Sequence, residues 1–285
     1  MFNSIKRFLK TPIVKVKRRL ERVVKVPVYI PVIHGELLKG RRAFVTGGSK
    51  GIGKAIAKAF LDSGCEVLIT GRNENAINDT VASLSVNGAN IHGMVLDNTR
   101  PGSFGSAIKS AFDKYGVFDI LVNNAGVTKG GYFGNCSETQ YNAVFDSILK
   151  GAWFLSQEFA AIWKRDHVKA NILNICSASS LRPGQTPYIC CKWAERAMTL
   201  GLAKILVRSG ITVNGLAPGL TSIERVQMEH HTEGLEWQKN PSGRYVTPEE
   251  VANMAVVLVS DIGRMVVGDV VYISGGGGVV TVDDA

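Results

Sequence analysis

A glycine-rich turn between an apolar strand and a helix constrains this chain more than any other feature. Residues 41–46 have the short apolar pattern of a buried strand, and residues 54–61 repeat apolar side chains at helical spacing. The turn that joins them allows three things: Gly47 permits a tight reversal, Gly51 lets a phosphate approach the backbone, and Gly53 lets the helix pack closely on the strand. This order of elements predicts a nucleotide-binding unit, with the phosphates at the helix N-terminus.

Strand-like runs alternate with helical ones along the rest of the chain. The further runs are residues 67–70, 91–96, 120–122, 171–176, 211–216 and 270–273. The alternation predicts an α/β fold, a doubly wound parallel sheet of about seven strands with helices on both faces. Residues 41–285 suffice for one large core, so we expect a single domain there. Ligands should bind at the carboxyl ends of the strands.

Tyr188 and Lys192 are the leading catalytic candidates. Residues four apart on a helix share a face, so both side chains can point into one site. A fixed ammonium favours phenolate, so the pKa of the tyrosine can fall from about 10 and make it a proton donor and acceptor. Ser177, at a strand end, can hold the oxygen that exchanges this proton, with Ser179 and Ser180 as alternatives. Such a Tyr–Lys spacing also occurs in many helices by chance.

Taken together, these residues resemble the short-chain dehydrogenase/reductase family, in particular its 3-oxoacyl-ACP reductase-like branch, over about residues 40–278. The matching segments are Thr46-Gly47 through Gly53, Asn123-Asn124-Ala125-Gly126 after an apolar strand, the set Ser177, Tyr188 and Lys192, and the turn that ends in Pro218-Gly219. The resemblance implies a Rossmann fold and an enzyme that moves hydride between a nicotinamide cofactor and a carbonyl or alcohol substrate. It also implies that Lys192 binds the nicotinamide ribose.

The resemblance further implies a set of cofactor-binding residues. They are Gly47, Ser49, Lys50, Gly51, Ile52, Gly53, Arg72, Asp97, Asn98, Asn124, Ala125, Gly126, Tyr188, Lys192, Pro218, Gly219 and Thr221. Glycine at position 71 stands where an NAD-preferring relative would carry an acid, and Arg72 and Lys50 supply cations for a 2′-phosphate. We therefore expect NADP(H), although both cations could instead be solvated surface charges.

Two positions depart from the family pattern. Ile148 stands where the family often carries a helical asparagine that supports a water relay to the lysine. Thr221 follows the proline–glycine turn sooner than the threonine that usually contacts the nicotinamide amide, and Ile223 occupies the expected place. Both departures bear on activity more than on fold.

The N-terminal extension, residues 1–40, differs from the rest in charge. Residues 1–42 contain twelve Lys or Arg and two Glu, a net charge of +10, against +9 for the whole chain. Apolar residues recur at three- or four-residue steps, interrupted by Pro12. The pattern predicts a basic amphipathic helix whose residues 1–25 could contact a membrane surface or a polyanion. A packing arm or a solvated extension is the alternative.

Other sequence features indicate where the protein is located and which ligands it is not expected to bind. No apolar run reaches the length of a membrane span, and no signal peptide is recognisable, so we expect a cytoplasmic protein, with peripheral membrane contact as an addition. Nucleic-acid binding is not expected, because the leader has few stacking aromatics. The five cysteines lack a disulfide spacing, and no metal site is expected, since His230 and His231 have no partners at metal-ligand spacing.

Two functional hypotheses remain. The first is an NADPH-dependent reductase of a ketone, with a 3-oxoacyl thioester, a sugar or another small ketone as substrate. The second is a catalytically weak NADP-binding scaffold or sensor, recruited by the basic leader. The pocket is expected to draw on residues 128–133 and 181–187 and on a lid over residues 220–245. By resemblance, a homodimer or homotetramer should form through the helix bearing Tyr188 and the one following Asn123.

Overall fold

The computed structural model describes residues 35–278, except residues 87, 129–130, 225, 227 and 229–233. The predicted leader helix, residues 129–130 of the expected pocket, and His230 and His231 lie outside the described residues. In the part that is described, no helix is long and apolar enough to cross a membrane.

Seven parallel strands form one sheet in the order β3-β2-β1-β4-β5-β6-β7. The strands are β1 Arg42–Thr46, β2 Glu66–Gly71, β3 Ile91–Val95, β4 Ile120–Asn123, β5 Ala170–Ile175, β6 Ile211–Pro218 and β7 Val270–Ile273. Because β1 lies between β2 and β4, the order reverses between β1 and β4. A crevice at such a reversal is where open α/β sheets bind their ligands.

Helices cover both faces of the sheet. They are α1 Gly51–Asp62, α2 Glu74–Leu84, α3 Phe104–Tyr115, α4 Glu138–Phe145, α5 Gly151–Arg165, α6 Pro187–Leu206 and α7 Pro248–Val259. A five-residue π-helical segment, Asp146–Lys150, joins α4 to α5, and a 3₁₀ turn, Ala178–Leu181, follows β5. The predicted parallel sheet of about seven strands with helices on both faces is confirmed.

The pleat of β1 divides the core into two parts. Val45 packs with side chains of α1, α2 and α7 on one face, whereas the neighbouring Phe44 packs with α3, α5 and α6 on the other. Both are fully buried, since alternate residues of a strand point to opposite faces. Leu38 lies on the N-terminal side of the expected domain boundary at residue 40. It is nevertheless fully buried, in the same part of the core as Val45.

Candidate active site

The glycine turn after β1 is shaped by two different constraints. Gly47 and Gly51 have positive φ values of +64° and +53°, which favour glycine. At Gly53 the constraint is space: a Cβ there would lie 2.3 Å from the carbonyl oxygen of Gly47 and 2.4 Å from the side-chain nitrogen of Asn124. The close approach of helix to strand expected at Gly53 is confirmed. No side chain caps the first turn of α1, so its N–H groups face the turn without a side-chain acceptor.

The hydroxyl of Thr46 joins the turn to the carboxyl end of β4. It accepts hydrogen bonds from the backbone N–H groups of Asn124 (2.9 Å) and Ala125 (3.0 Å) and donates one to the carbonyl of Val122 (3.1 Å). The Asn124 amide donates in return to the carbonyls of Thr46 (2.9 Å) and Gly47 (3.0 Å). These five bonds bring two of the sequence segments predicted to bind the cofactor into one rigid unit.

The predicted phosphate cations lie at the edge of this unit. Lys50 precedes α1 and Arg72 follows β2, and both are exposed. Between them, the Ser49 hydroxyl lies 3.7 Å from the position that a Cβ on Gly71 would occupy. No acid stands at the end of β2, because the strand finishes in glycine. Lys50, Arg72 and the Ser49 hydroxyl therefore border one surface, and β2 contributes no carboxylate to it.

Asp97 and Asn98 follow β3 at the same edge of the sheet. Burial raises the pKa of Asp97, but the N–H (3.0 Å) and hydroxyl (2.9 Å) of Thr99 donate to its carboxylate, and with Arg72 and Arg100 nearby the pKa is lowered overall. Asn98 is buried against the start of α5. Asp97 is therefore an anion at neutral pH and lies within electrostatic range of Arg72.

Ser177 stands two residues after the end of β5, at the carboxyl edge of the sheet. Its hydroxyl oxygen accepts a hydrogen bond from the N–H of Ser179 (3.1 Å), which fixes the side chain. Ser180 is fully buried, and its hydroxyl donates to the Ser177 carbonyl (2.8 Å) and lies 3.3 Å from the Tyr272 hydroxyl. Ser180 is therefore occupied within the core, which favours Ser177 over this alternative.

Tyr188 lies in the first turn of α6, and Lys192 lies one turn later. Thr186 caps this helix by accepting a bond from the N–H of Ile189 (3.2 Å), and Pro187 occupies the first helical position. The Lys192 Nζ atom is 5.8 Å from the centre of the Tyr188 ring. The spacing of four thus places the two side chains together, as the sequence predicts.

Lys192 is held by two acceptors that the sequence analysis did not include. Its Nζ donates to the carbonyl of Ile175 at the end of β5 (2.6 Å) and to Glu195 Oε2 (2.7 Å). The side chains of Lys192 and Glu195 are 9% and 2% exposed. Burial lowers the pKa of Lys192, but Glu195, Tyr188 and Cys176 together raise it by more, so the pKa of Lys192 is raised overall. Burial raises the pKa of Glu195 by more than the Lys192 ammonium lowers it, so the pKa of Glu195 is raised overall.

A row of buried polar side chains runs beneath these residues. The Asn123 amide donates to Ser156 (3.1 Å) and to Asn174 (2.8 Å), and the Asn174 amide donates to Thr199 (2.9 Å). The Thr199 hydroxyl donates to the backbone carbonyl of Glu195 (2.9 Å). The row connects β4, β5 and α6, so the turn that carries Glu195 is tied to the sheet.

Ile148 lies in the π-helical segment and closes the other side of the tyrosine. It is 2% exposed and packs in an apolar cluster with Val144, Cys191 and Tyr188. A Cβ on Gly126 would lie 2.7 Å from Ile148 Cγ1, so the isoleucine also fills the space beside the turn after β4. Its side chain offers no hydrogen bond to a water or to Lys192.

The turn after β6 places Ile223, rather than Thr221, against the glycine turn. Pro218 ends β6, and the N–H of Gly219 donates to Ile273 (3.0 Å). The Thr221 hydroxyl donates to the Gly219 carbonyl (3.0 Å) within its own turn, and this residue is buried. Ile223 Cγ2 would lie 3.5 Å from a Cβ on Gly51.

Known proteins are similar to this chain in sequence and in fold. A family profile described as Enoyl-(Acyl carrier protein) reductase matches residues 47–277. The chain is 33% identical to a 3-oxoacyl-[acyl-carrier-protein] reductase FabG of Chlamydia pneumoniae and 31% identical to a gluconate 5-dehydrogenase of Gluconobacter oxydans. Both matches cover 84% of this chain, and 97% and 95% of the relatives. A solved gluconate 5-dehydrogenase of Burkholderia cenocepacia, in complex with NADP and tartrate, is 28% identical with a TM-score of 0.79, over 85% of this chain and 97% of that one.

The chain belongs to the short-chain dehydrogenase/reductase family, in its 3-oxoacyl-ACP reductase-like branch. It is an oxidoreductase that acts on CH–OH donors and interconverts a ketone and an alcohol with a nicotinamide cofactor.

Proposed function

We propose that this protein is an NADPH-dependent reductase that interconverts a ketone and a secondary alcohol, with 3-oxoacyl thioesters as the first substrate class to test. One observation carries the proposal: Tyr188 and Lys192 share a face of α6, and the ammonium of Lys192 is bonded to the strand end that leads into Ser177. The proposal is supported because a tyrosine, a lysine and a serine hydroxyl lie at one edge of the sheet, as proton transfer to a substrate oxygen requires.

The residues of the glycine turn fit a dinucleotide. A Cβ on Gly48 would lie 2.6 Å from Ile69, and one on Gly53 would overlap the Gly47 carbonyl, so the turn keeps its close packing only with glycine at these two positions. A pyrophosphate needs a close approach to backbone N–H groups, and the N-terminus of α1, which has no side-chain cap, offers such groups. We assign the phosphates to residues 47–53, the adenosine end to Asp97 and Asn98, and the nicotinamide end to residues 124–126, Tyr188, Lys192 and the turn 218–221.

The choice of NADP(H) over NAD rests on charge. Lys50 before α1 and Arg72 after β2 are both exposed, and the end of β2 supplies no carboxylate to repel a 2′-phosphate. The Burkholderia relative has NADP in its structure. A basic surface that is open to solvent costs little to form and binds a phosphate by charge-assisted hydrogen bonds.

The mechanism assigns one step to each side chain. The bound nicotinamide supplies hydride for reduction and accepts it for oxidation. Tyr188 donates its hydroxyl proton to the carbonyl oxygen, and Ser177 donates a hydrogen bond to the same oxygen as its negative charge develops. Such a positioned donor contributes roughly a hundredfold or more in rate. Lys192 holds its charge beside Tyr188 and would bind the ribose of a nicotinamide cofactor.

An apolar rim beside the site favours an acyl substrate. Phe133 is 97% exposed, and its N–H donates to the carbonyl of Gln185 (3.1 Å), just before the start of α6. Tyr132 is exposed next to it, and Arg182 on the facing segment is an exposed cation. Two aromatic rings with a nearby cation suit an acyl chain on an anionic carrier better than a small sugar acid, the substrate class named for the gluconate relatives.

The assembly and location are part of the proposal. Trp153 and Phe154 on α5 and Trp193 and Leu200 on α6 are large apolar residues that remain exposed in the single chain. A homodimer or homotetramer that pairs these helices would bury them. We place the enzyme in the cytoplasm, with residues 41–285 as its catalytic domain and the basic segment of residues 1–25 as a contact for anionic lipid or another polyanion.

The test is NADPH oxidation with a panel of 3-oxoacyl thioesters, sugars and small ketones. We expect turnover with thioesters and a loss of at least a hundredfold in Tyr188→Phe, because the phenyl ring cannot supply the proton. Tyr115→Phe is the matched control, because it removes the same hydroxyl group from a tyrosine outside the proposed site. Tyr115 is the last residue of α3, and its ring stacks on that of His92. NADPH binding without turnover of any compound in the panel would favour the alternative of an NADP-binding scaffold or sensor. Turnover of sugars alone would show that 3-oxoacyl thioesters are the wrong substrate class.

A further inference from the structure

We propose that Thr80 on α2 is a positioning residue for cofactor choice: its hydroxyl holds the backbone at Ser49, so that Ser49, Lys50 and Arg72 can act on one 2′-phosphate. The inference rests on the proposed function, in which the cofactor is NADP(H). It adds a residue that lies outside the glycine turn and outside the cofactor-binding set expected from the sequence.

Thr80 makes a hydrogen bond that crosses from α2 to the glycine turn. Its hydroxyl donates to the backbone carbonyl of Ser49 (2.9 Å), 31 residues earlier in the chain, and the residue is 3% exposed. Serine and threonine hydroxyls inside a helix can bond to a carbonyl of their own helix. Ser83 does so here, with a bond to the Thr80 carbonyl (2.9 Å). The Thr80 hydroxyl instead connects its helix to another segment of the chain.

This bond fixes the orientation of the peptide unit between Ser49 and Lys50. The unit is trans and planar, so its carbonyl and its N–H point in opposite directions. Because the Ser49 carbonyl is directed at Thr80, the N–H of Lys50 is directed away from α2. Lys50 is itself extended, with φ −160° and ψ 169°, and directly precedes α1. The directions in which the Ser49 and Lys50 side chains leave the turn therefore depend on Thr80.

The same helix packs against the end of β2, just before Arg72. Ile77 lies one turn before Thr80 on the same face of α2 and is 2% exposed. Its Cγ1 lies 3.6 Å from the position that a Cβ on Gly71 would occupy. A Cβ on Gly93 of β3 would lie 2.4 Å from Ile77 Cγ2, so glycine at this position lets α2 lie close to the sheet. Through these contacts, α2 adjoins both segments that carry the cations.

Arg72 alone is a weak basis for binding a 2′-phosphate. The residue stands between β2 and the N-cap of α2, where Asn73 accepts a hydrogen bond from the first turn of the helix (3.0 Å). The carboxylate of Asp97 lies within electrostatic range of Arg72 and offsets part of its charge. The attraction of a phosphate to this surface therefore depends on Ser49 and Lys50 as well.

The two phosphate positions of the cofactor should respond differently to Thr80. A hydrogen bond to a phosphate weakens steeply when its donor is displaced or turned, and the 2′-phosphate is the group by which NADP differs from NAD. The pyrophosphate is assigned to the N–H groups at the start of α1, whereas the bond from Thr80 ends at Ser49, ahead of that helix. Loss of the Thr80 hydroxyl should therefore weaken contacts to the 2′-phosphate and spare the pyrophosphate.

The experiment compares two nucleotides that differ by the 2′-phosphate alone. Isothermal titration calorimetry of the full chain measures the dissociation constants of adenosine 2′,5′-bisphosphate and of adenosine 5′-monophosphate, and their ratio isolates the 2′-phosphate. We expect the original protein to prefer the bisphosphate by at least about tenfold, the contribution of one charge-assisted hydrogen bond. Thr80→Val should lower this preference by about fivefold, because one ordinary hydrogen bond is lost, and should change the affinity for the monophosphate by less than about twofold.

The controls separate positioning from general stability. Thr80→Ser keeps a hydroxyl at this position and should keep the preference. Ser83→Ala is the matched control, because it removes a hydroxyl whose bond stays within α2. It should leave both dissociation constants in place. Thr80→Ala provides the same comparison if the valine variant does not fold.

The outcomes distinguish this inference from the proposed function. A preference that stays or rises in Thr80→Val and Thr80→Ala, or an equal loss of affinity for both nucleotides, overturns the role of Thr80 and leaves the choice of NADP(H) in place. An original protein without a preference for the bisphosphate overturns the choice of NADP(H), and with it the role of Thr80 in that choice. None of these measurements depends on turnover, so they decide the matter whatever the ketone substrate is.

Discussion

Replacing Gly53 with alanine should damage the cofactor turn more than its ordinary backbone conformation suggests. The new methyl group would lie 2.3 Å from the Gly47 carbonyl oxygen and 2.4 Å from Asn124 Nδ2, both well under 3.0 Å. Relief requires α1 to move away from β1 and the Asn124 amide to leave its bonds to Thr46 and Gly47. Overpacking costs about 1–3 kcal/mol, and two lost hydrogen bonds add about 1 kcal/mol each. We expect roughly 3–5 kcal/mol of lost stability.

Urea unfolding followed by tryptophan fluorescence measures this loss of stability. Trp163 is fully buried in the same part of the core as Phe44, so unfolding changes its surroundings. NADPH binding, followed by the fluorescence of the cofactor, should weaken by at least tenfold in the folded fraction, since the displaced helix carries the phosphate-facing N–H groups.

The matched control is Gly201→Ala in the middle of α6, where a Cβ would meet nothing within 4 Å. It should stabilise the protein by about 0.5–1 kcal/mol through helix propensity. A Gly53→Ala protein within about 1 kcal/mol of the original, with unchanged NADPH affinity, would refute the steric argument, since two overlaps of this size would then have been absorbed without cost.

Three further substitutions test other parts of the site and fold. Thr46→Val should cost about 2–3 kcal/mol in urea unfolding, because two backbone N–H groups lose their acceptor; an unchanged midpoint would contradict this. Glu250→Gln should cost about 1–2 kcal/mol at neutral pH. The hydrogen bonds from Arg244 lower the pKa of Glu250, so its stabilisation is present above the unfolded value of about 4.3 and is lost as the pH falls through the lowered folded value. A variant deficit that persists at pH 2 would count against that linkage. Ile148→Asn, which restores the family residue, should lower the melting temperature, because a polar group enters an apolar cluster; a more stable variant would show that the cluster tolerates it.

The sequence predicted the features that depend on short-range pattern. The seven strands were placed to within one or two residues, because each is a short apolar run bounded by turn residues. The positive φ of Gly47 and the proximity of Tyr188 and Lys192 likewise follow from spacing along one element.

Long-range polar contacts were not predictable in the same way. Glu195 stands three residues after Lys192, a spacing that usually places two charges on a solvated helix face. One signal was available: both fall on the stripe of α6 that also carries Cys191, Met198 and Thr199, and this stripe is buried. The Thr46 hydroxyl was missed because its partners lie 76 to 79 positions further along the chain.

The loop after β6 differs in part from the expected lid. Tyr245 is 1% exposed, and the ring of Trp237 packs against it with centroids 5.1 Å apart, so this end of the loop is anchored in the protein. Met228 is exposed, and residues 229–233 lie outside the described part of the chain. Hydrophobic residues in a loop sequence do not distinguish a side chain that covers a ligand from one that secures the loop itself.

The position of β7 bears on the order in which the site forms during synthesis. The glycine turn contacts β1, β2, α1 and the residues after β4, whereas the segment that carries Ser177 contacts Tyr272 of β7 and the turn of residues 275–278. The residues that form the glycine turn are therefore all synthesised before the segment that supports Ser177.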